Sequence, residues 1–191
     1  MNPHAEFHRG SSATRPRRVA FAVASLALVA TAVTGCGAVA SFENGVYTGK
    51  DARYRVGPLD EAGGWKRVAS TPADLTFRHA GGGVIAAIGS CHQLEDVSLE
   101  VLTNHLLLGF DERHVTRQSV VVLDGRRALK SRVDGRIDGV PVRLELVVVR
   151  KDDCTYDLQL VAGPEVFEAR SSDFERFVAA FKALGRSAGS R

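Results

Sequence analysis

The sequence predicts an α+β fold: an antiparallel sheet of about six to eight strands flanked by helices on both faces. Three observations carry this reading. Short apolar runs punctuated by Gly, Pro and Asp succeed one another from Arg53 to Val161. Two stretches, Ser98 to Leu108 and Ser172 to Leu184, instead place apolar residues at helical spacing. The strand Val140 to Val149 becomes apolar on both of its alternating faces, and such a strand has to be covered on both sides.

Taken in chain order, Arg15, Arg17 and Arg18 precede an uncharged run from Val19 to Val33, followed by Val33-Thr34-Gly35-Cys36. A positive region, an apolar region and a small-residue cleavage site make residues 1–35 a signal peptide. The four residues ending at Cys36 resemble a bacterial lipobox. That resemblance implies transfer of diacylglycerol to the Cys36 thiol, cleavage before Cys36 and acylation of the new amino terminus. An uncleaved anchor is the rival, because the uncharged stretch continues to Phe42 and a span needs about 20 apolar residues. Its last third, Gly35 to Phe42, is too weakly apolar to favour that reading. A twin-arginine signal fits less well, since Pro16 precedes Arg17-Arg18 and Phe21 falls one position late. Two or more acyl chains make a stable anchor where one does not, so the expectation is a tethered domain.

Residues 36–49 are small and polar without sustained periodicity and read as the lipidated N-terminus and a flexible tether. A single α+β domain is expected over residues 50–185, with 186–191 as a disordered tail. Strands are expected at Arg53–Val56, Trp65–Ala69, Leu75–Arg78 and Val84–Gly89, with Gly81-Gly82-Gly83 turning between the last two. Ser98 to Leu108 sets Leu99, Leu102 and Leu106 on one helical face and stops before Gly109. Four more strands follow: Ser119–Leu123, Arg126–Val133, Val140–Val149 and Thr155–Val161. Asp124-Gly125, Asp138-Gly139 and Lys151-Asp152-Asp153 supply their corners, which makes antiparallel hairpins the simplest connection. In the final element Ser172 and Glu175 have capping-box spacing. Phe174, Phe177, Val178 and Phe181 then recur at helical intervals, with Leu184 one turn on and Gly185 as the stop. Burying three Phe side chains contributes on the order of 5–9 kcal/mol before opposing entropy, so this helix belongs to the core.

Charge excludes one class of partner. The chain has 25 Lys+Arg and 22 Asp+Glu. Loss of Arg9, Arg15, Arg17, Arg18 and Glu6 with the signal peptide leaves 21 of each. A neutral, well-mixed surface lacks the basic stripe that nucleic acid requires. Cysteine usage points outside the cytoplasm. With Cys36 given to lipid, Cys91 and Cys154 remain as an even pair in an oxidising compartment, where a disulfide persists. Closing that loop is worth roughly 4 kcal/mol in the loop-entropy account. Two free buried thiols are the alternative.

Gly63-Gly64-Trp65-Lys66 leading a strand, a helix after the Cys91 segment, Leu123-Asp124-Gly125-Arg126 between strands and a closing Phe-rich helix together resemble PsbP-like domains, the LpqN-like lipoproteins among them. The resemblance covers about residues 50 to 185. It implies a sheet sandwiched by helices and non-enzymatic work as accessory or partner-binding modules, and it transfers no site residue.

No catalytic, cofactor or metal residue is assigned. Cys91-His92 sets a thiol beside a base, but neighbours on an extended chain project to opposite faces. His79, His92, His105 and His114 show no metal-ligand spacing and read as scattered surface residues. Gly81-Gly82-Gly83 lacks the Lys-Ser or Lys-Thr of a phosphate loop. Ser90 lacks the second glycine of a nucleophile elbow. Asp152-Asp153 and Asp157 match no calcium loop and read as a solvated turn. Lys130 and Arg132, with Arg126, Arg127, Arg136 and Arg143 nearby, can present a cationic face to anionic headgroups. Asp124, Asp134, Asp138 and Glu145 interleave with them, so cross-strand ion pairing is the preferred reading.

The functional expectation is a non-catalytic envelope lipoprotein, held to a membrane through Cys36 and serving an envelope protein partner. The second is a small-ligand or lipid carrier with an apolar pocket between the sheet and the Phe174–Leu184 helix. Gly37 is not the Asp that retains many lipoproteins at the inner membrane, so the periplasmic face of the outer membrane is expected.

Overall fold

The computed structural model describes residues 40–69, 73–91 and 97–186, all within one compact unit, Gly37–Arg191. The expected signal peptide, Cys36, His92 and residues 187–191 lie outside the described residues. Two helices and two antiparallel sheets make an α+β architecture, as the sequence predicts.

The chain opens with β1 (Ser41–Glu43), β2 (Val46–Thr48) and β3 (Ala52–Arg55). The segment read as a flexible tether is therefore folded from Ser41 onward. Asn44-Gly45 makes the turn with positive φ at both residues, and Tyr47, 6% exposed, anchors β2 in the core. Then come β4 (Trp65–Arg67), β5 (Leu75–His79), β6 (Val84–Cys91), α1 (Leu99–Leu106), β7 (Asp111–Leu123), β8 (Arg126–Ile137), β9 (Val140–Lys151), β10 (Cys154–Ala162), α2 (Pro164–Ala179) and β11 (Lys182–Arg186). The smaller sheet is ordered β1-β2-β3-β11 and the larger β4-β5-β6-β10-β9-β8-β7.

The arm β7–β10 is built from two-residue turns whose flanking residues pair directly: Leu123 with Arg126, Ile137 with Val140, Lys151 with Cys154. Asp124-Gly125, Asp138-Gly139 and Asp152-Asp153 all have positive φ, the backbone that matches strand twist in tight hairpins. In this register Cys91 and Cys154 are direct neighbours across β6 and β10, and they form a disulfide with Cα atoms 4.0 Å apart. The two cysteines named from the sequence are bridged.

The larger sheet is covered on both faces. On one face Ile85, Val147, Val149, Tyr156, Leu158 and Leu160 join a core with Phe167, Phe174 and Phe177 of α2 and with Tyr47, Tyr54 and Ala183 of the smaller sheet. On the other, Val133, Leu144 and Leu146 pack with Leu107 at the end of α1. Ser98 caps α1, its hydroxyl accepting the Val101 N–H at 3.3 Å.

The α2 helix departs from expectation at both ends. It begins at Pro164, with Gly163 as the cap and proline supplying the preset first turn. Ser172 and Glu175 thus lie in mid-helix and form no capping box. After Ala180 the chain reverses: the Phe181 N–H donates to Val178 O at 2.9 Å. Lys182 and Ala183 then pair with Arg55 and Tyr54. Leu184 and Gly185 are consequently strand residues of β11, not helix end and stop.

Close approach of the two sheets needs a glycine at one place. A Cβ on Gly89 would sit 2.7 Å from the Ala52 Cβ and 3.1 Å from the Tyr54 ring. There the Gly89 N–H donates to Asp74 Oδ2 at 2.7 Å, while Tyr47 and Tyr54 hydroxyls donate to Oδ1 and Oδ2 at 3.0 and 3.2 Å. Burial raises the Asp74 carboxyl above its usual range, and these donors partly offset that.

Candidate functional site

Beyond β9 the larger sheet outruns its cover except at the β7–β8 hairpin end, where Ala128, Val121 and Leu123 still meet the core. On the α2 side the residues of β10 are apolar, whereas the same face of β9, β8 and β7 carries Arg143 and Glu145, then Lys130, Arg132 and Asp134, then Arg117 and Ser119. Strand register decides this, because Leu160 pairs with Glu145, Glu145 with Arg132, and Arg132 with Arg117. A groove of about 310 Å³ lies here, lined by Arg117, Ser119, Val121, Lys130, Arg132, Glu145 and, from α2, Glu175.

Glu145 is the floor, only 2% exposed. Lys130 Nζ lies 2.5 Å from its Oε1. Arg132 donates from Nη2 and Nε to Oε2 at 2.8 and 3.2 Å. Burial would push the Glu145 carboxyl up, but the two cations outweigh it and hold the group below its usual range. Arg132 also donates from Nη1 to Glu168 Oε1 at 3.1 Å and stacks over the Phe167 ring at 4.9 Å. Arg143 makes a fork to Asp134, at 2.6 and 3.0 Å, and Asp134 is lowered chiefly by that contact. The cross-strand ion pairing read from the sequence is the arrangement found for Lys130 and Arg132.

Beside the groove runs the edge. β7 is the outermost strand, thirteen residues long and exposed throughout apart from Val121 and Leu123. In a two-residue hairpin the residues flanking the turn exchange both main-chain bonds, and the pattern alternates from there. Leu123, Val121 and Ser119 therefore bond to β8, and Val122, Val120 and Gln118 aim their N–H and C=O outward. Val120 and Val122 are also 50% and 78% exposed.

The other candidates resolve as follows. His79 is engaged locally, its Nε2 within 2.8 Å of Gly63 O and its Nδ1 accepting the Gly81 N–H at 2.8 Å. No three His, Cys, Asp or Glu side chains converge as metal ligands among the described residues. Space between the larger sheet and α2 is filled by Phe167, Phe174 and Phe177, each at most 1% exposed. Asp152 and Asp153 are an exposed turn, but Asp157 is not part of it. It lies within β10, paired with Ile88 and Val148. Its Oδ1 is shut off from solvent without a hydrogen-bond partner, and burial pushes its carboxyl up to about 7. An Asp three places from a corner looks solvated in the sequence; only register shows it facing into the sheet.

These features define a two-sheet α+β domain with a charged groove beside a bare strand edge. No family model and no curated protein matches the chain. Solved structures with similar folds include LpqN, involved in cell envelope biogenesis of Mycobacterium tuberculosis. It has a TM-score of 0.49 and 14% identity, over 69% of this chain and 84% of that one. Cyanobacterial PsbP from Synechocystis gives 0.49 and 12%, over 80% and 99%. A Pseudomonas aeruginosa protein of unknown function, PA94, gives 0.45 and 10%, over 74% and 93%.

Proposed function

We propose that this chain is a non-catalytic envelope lipoprotein, anchored through Cys36 at the periplasmic face of the outer membrane, that acts as an accessory module by docking a protein partner along β7. The supporting observation is the edge itself. A long exposed strand with outward main-chain groups is a template for another strand, and proteins that do not use such an edge usually blunt it. Charged residues and register shifts blunt its first half, but the stretch from Gln118 to Val122 carries exposed valines instead. The filled core under α2 disfavours the alternative of a lipid carrier with an apolar pocket.

Photo-crosslinking tests the reading. A photoreactive residue at Val122 in the full chain, expressed in its own host, is expected to capture one reproducible envelope protein. The same residue at Glu165 on α2 is expected not to. Val120→Pro removes an outward donor without breaking a bond to β8, so it should abolish capture while the domain stays folded. Equal capture from both positions, or capture indifferent to Val120→Pro, refutes docking on this edge. Labelling with a palmitate analogue, lost in Cys36→Ser, tests the anchor.

A further inference from the structure

Arg117 and Arg132 are direct partners across β7 and β8, and the next same-face pair is Ser119 with Lys130. Like charges set directly opposite destabilise a strand pair, so the arrangement calls for compensation. Arg132 has it, in Glu145 and Glu168. Lys130 has it in Glu145, at 2.5 Å. Each Glu145 oxygen thereby faces a cation, and Glu175, the remaining carboxylate of the groove, stands 3.8 Å from Lys130 with its side chain 65% exposed. Arg117 has no acidic partner among the described residues. Three cations and two carboxylates line the cavity, and the uncompensated charge is the one at Arg117.

We infer that the groove is a binding site for a small oxyanion, a phosphate or carboxylate group, held by the Arg117 guanidinium, the Ser119 hydroxyl and the Lys130 ammonium. The chemistry follows from the donors. A guanidinium fork matches two oxygens of either group, whereas a lone halide uses only one point of it. A hydroxyl and an ammonium on the neighbouring pair add donors to further oxygens. Glu145 keeps its role as the floor that fixes Lys130 and Arg132, so these two cations are held in place before an anion arrives. At about 310 Å³, the cavity is at the low end of the roughly 300–1,000 Å³ of small-molecule sites. It takes the anionic group together with a short attached moiety against Val121. This site does not depend on strand docking at β7.

The test uses the full chain in zwitterionic micelles with ¹⁵N-labelled arginine, titrated separately with inorganic phosphate, acetate and sodium chloride at matched ionic strength. Saturable shifts of the Arg117 and Arg132 side-chain signals are expected with phosphate or acetate but not with chloride. Tighter binding of phosphate assigns the site to phosphate groups, and tighter binding of acetate to carboxylates. Arg117→Gln should weaken binding at least about tenfold, read from Arg132. Arg126→Gln, exposed at the start of β8 and outside the groove lining, should leave it unchanged. Absence of saturation up to about 50 mM, shifts matching those of chloride, or equal affinity in Arg117→Gln each overturns the inference. So does binding only to phosphatidylglycerol vesicles, independent of Arg117, because that is general adsorption to an anionic surface.

Discussion

Asp157→Asn should make the domain more stable at pH 8 and remove a pH dependence the parent protein has. Asp157 sits in β10 with Oδ1 out of contact with water and without a hydrogen bond, and burial raises its carboxyl from 3.8 to about 7. The folded-state value lies above the unfolded one, so the folded form binds the proton more tightly. Below about pH 4 both states are protonated and Asp157 costs nothing. As pH rises from there, the unfolded chain gains by ionising while the folded chain does not. The cost is complete above about pH 7. At 1.36 kcal/mol per pH unit the full effect is on the order of 4 kcal/mol. Partial exposure of the residue as a whole brings the expectation to about 2–4 kcal/mol.

Asparagine keeps the shape and has no charge to bury. Urea unfolding at pH 5 and pH 8, disulfide intact, reads the difference. With a slope of about 1–3 kcal/mol per molar urea, the gap between variant and parent should widen by on the order of 1–2 M in midpoint from pH 5 to pH 8. Asp74, also raised by burial, contributes a slope of the same sign to both proteins and cancels in the comparison. Parallel pH profiles for the two proteins would refute the assignment of a neutral carboxyl to this position.

Glu145→Gln should destabilise by on the order of 2–4 kcal/mol, somewhat under the roughly 3–5 kcal/mol of a fully buried pair. It strands Lys130 and Arg132, whose side chains are 33% and 27% exposed; urea unfolding at pH 7 reads it. Because the Glu145 carboxyl is held below its usual range, its contribution is present above that range and lost as pH falls through the lowered value, so parent and variant should converge in acid. Cys91→Ala with Cys154→Ala opens a loop of sequence separation 63, and should cost about 4 kcal/mol in the same assay. A loss below about 1 kcal/mol would show that the bridge constrains little. Phe177→Asp puts a charge at a fully buried position and should abolish cooperative unfolding, read by circular dichroism.

What was legible in the sequence was what short-range chemistry dictates. Asp124-Gly125, Asp138-Gly139 and the Asp152-Asp153 corner located the turns between β7 and β10, because positive φ at both turn residues leaves few alternatives, and Ser98 marked the start of α1 for a similarly local reason. The misread elements depend on distant partners. β1 and β2 are three residues each, too short for a period, and are strands because they pair with each other and β2 pairs with β3. Phe181 and Leu184 stand at helical spacing, yet the chain from Lys182 becomes β11 by pairing with β3 far away in the sequence. The site was half legible. Lys130, Arg132 and Glu145 were recognised as ion-pairing residues, but Arg117 was not singled out. Its place opposite Arg132 follows the unbroken register running back from the Asp124-Gly125 turn, but the strand was expected only from Ser119, which left Arg117 outside it.

The groove and the bare edge have one structural origin. α2 carries its three buried phenylalanines over the middle of a seven-stranded sheet, and the smaller sheet covers the same face; on β7 the cover extends only to Val121 and Leu123 at the hairpin end. Away from that end, β8 and β7 must therefore be solvated on that face, and the register makes their residues there charged or polar. Once α2 supplies the wall over Glu145, the boundary between covered and uncovered sheet is a cleft with a buried carboxylate at its base and cations along its sides. A sheet of four or five strands would have ended under the helix with neither feature. The length of the β7–β8–β9 arm therefore creates both the groove and the edge proposed as binding surfaces. Shortening the arm while keeping the core should leave a stable protein that has lost them.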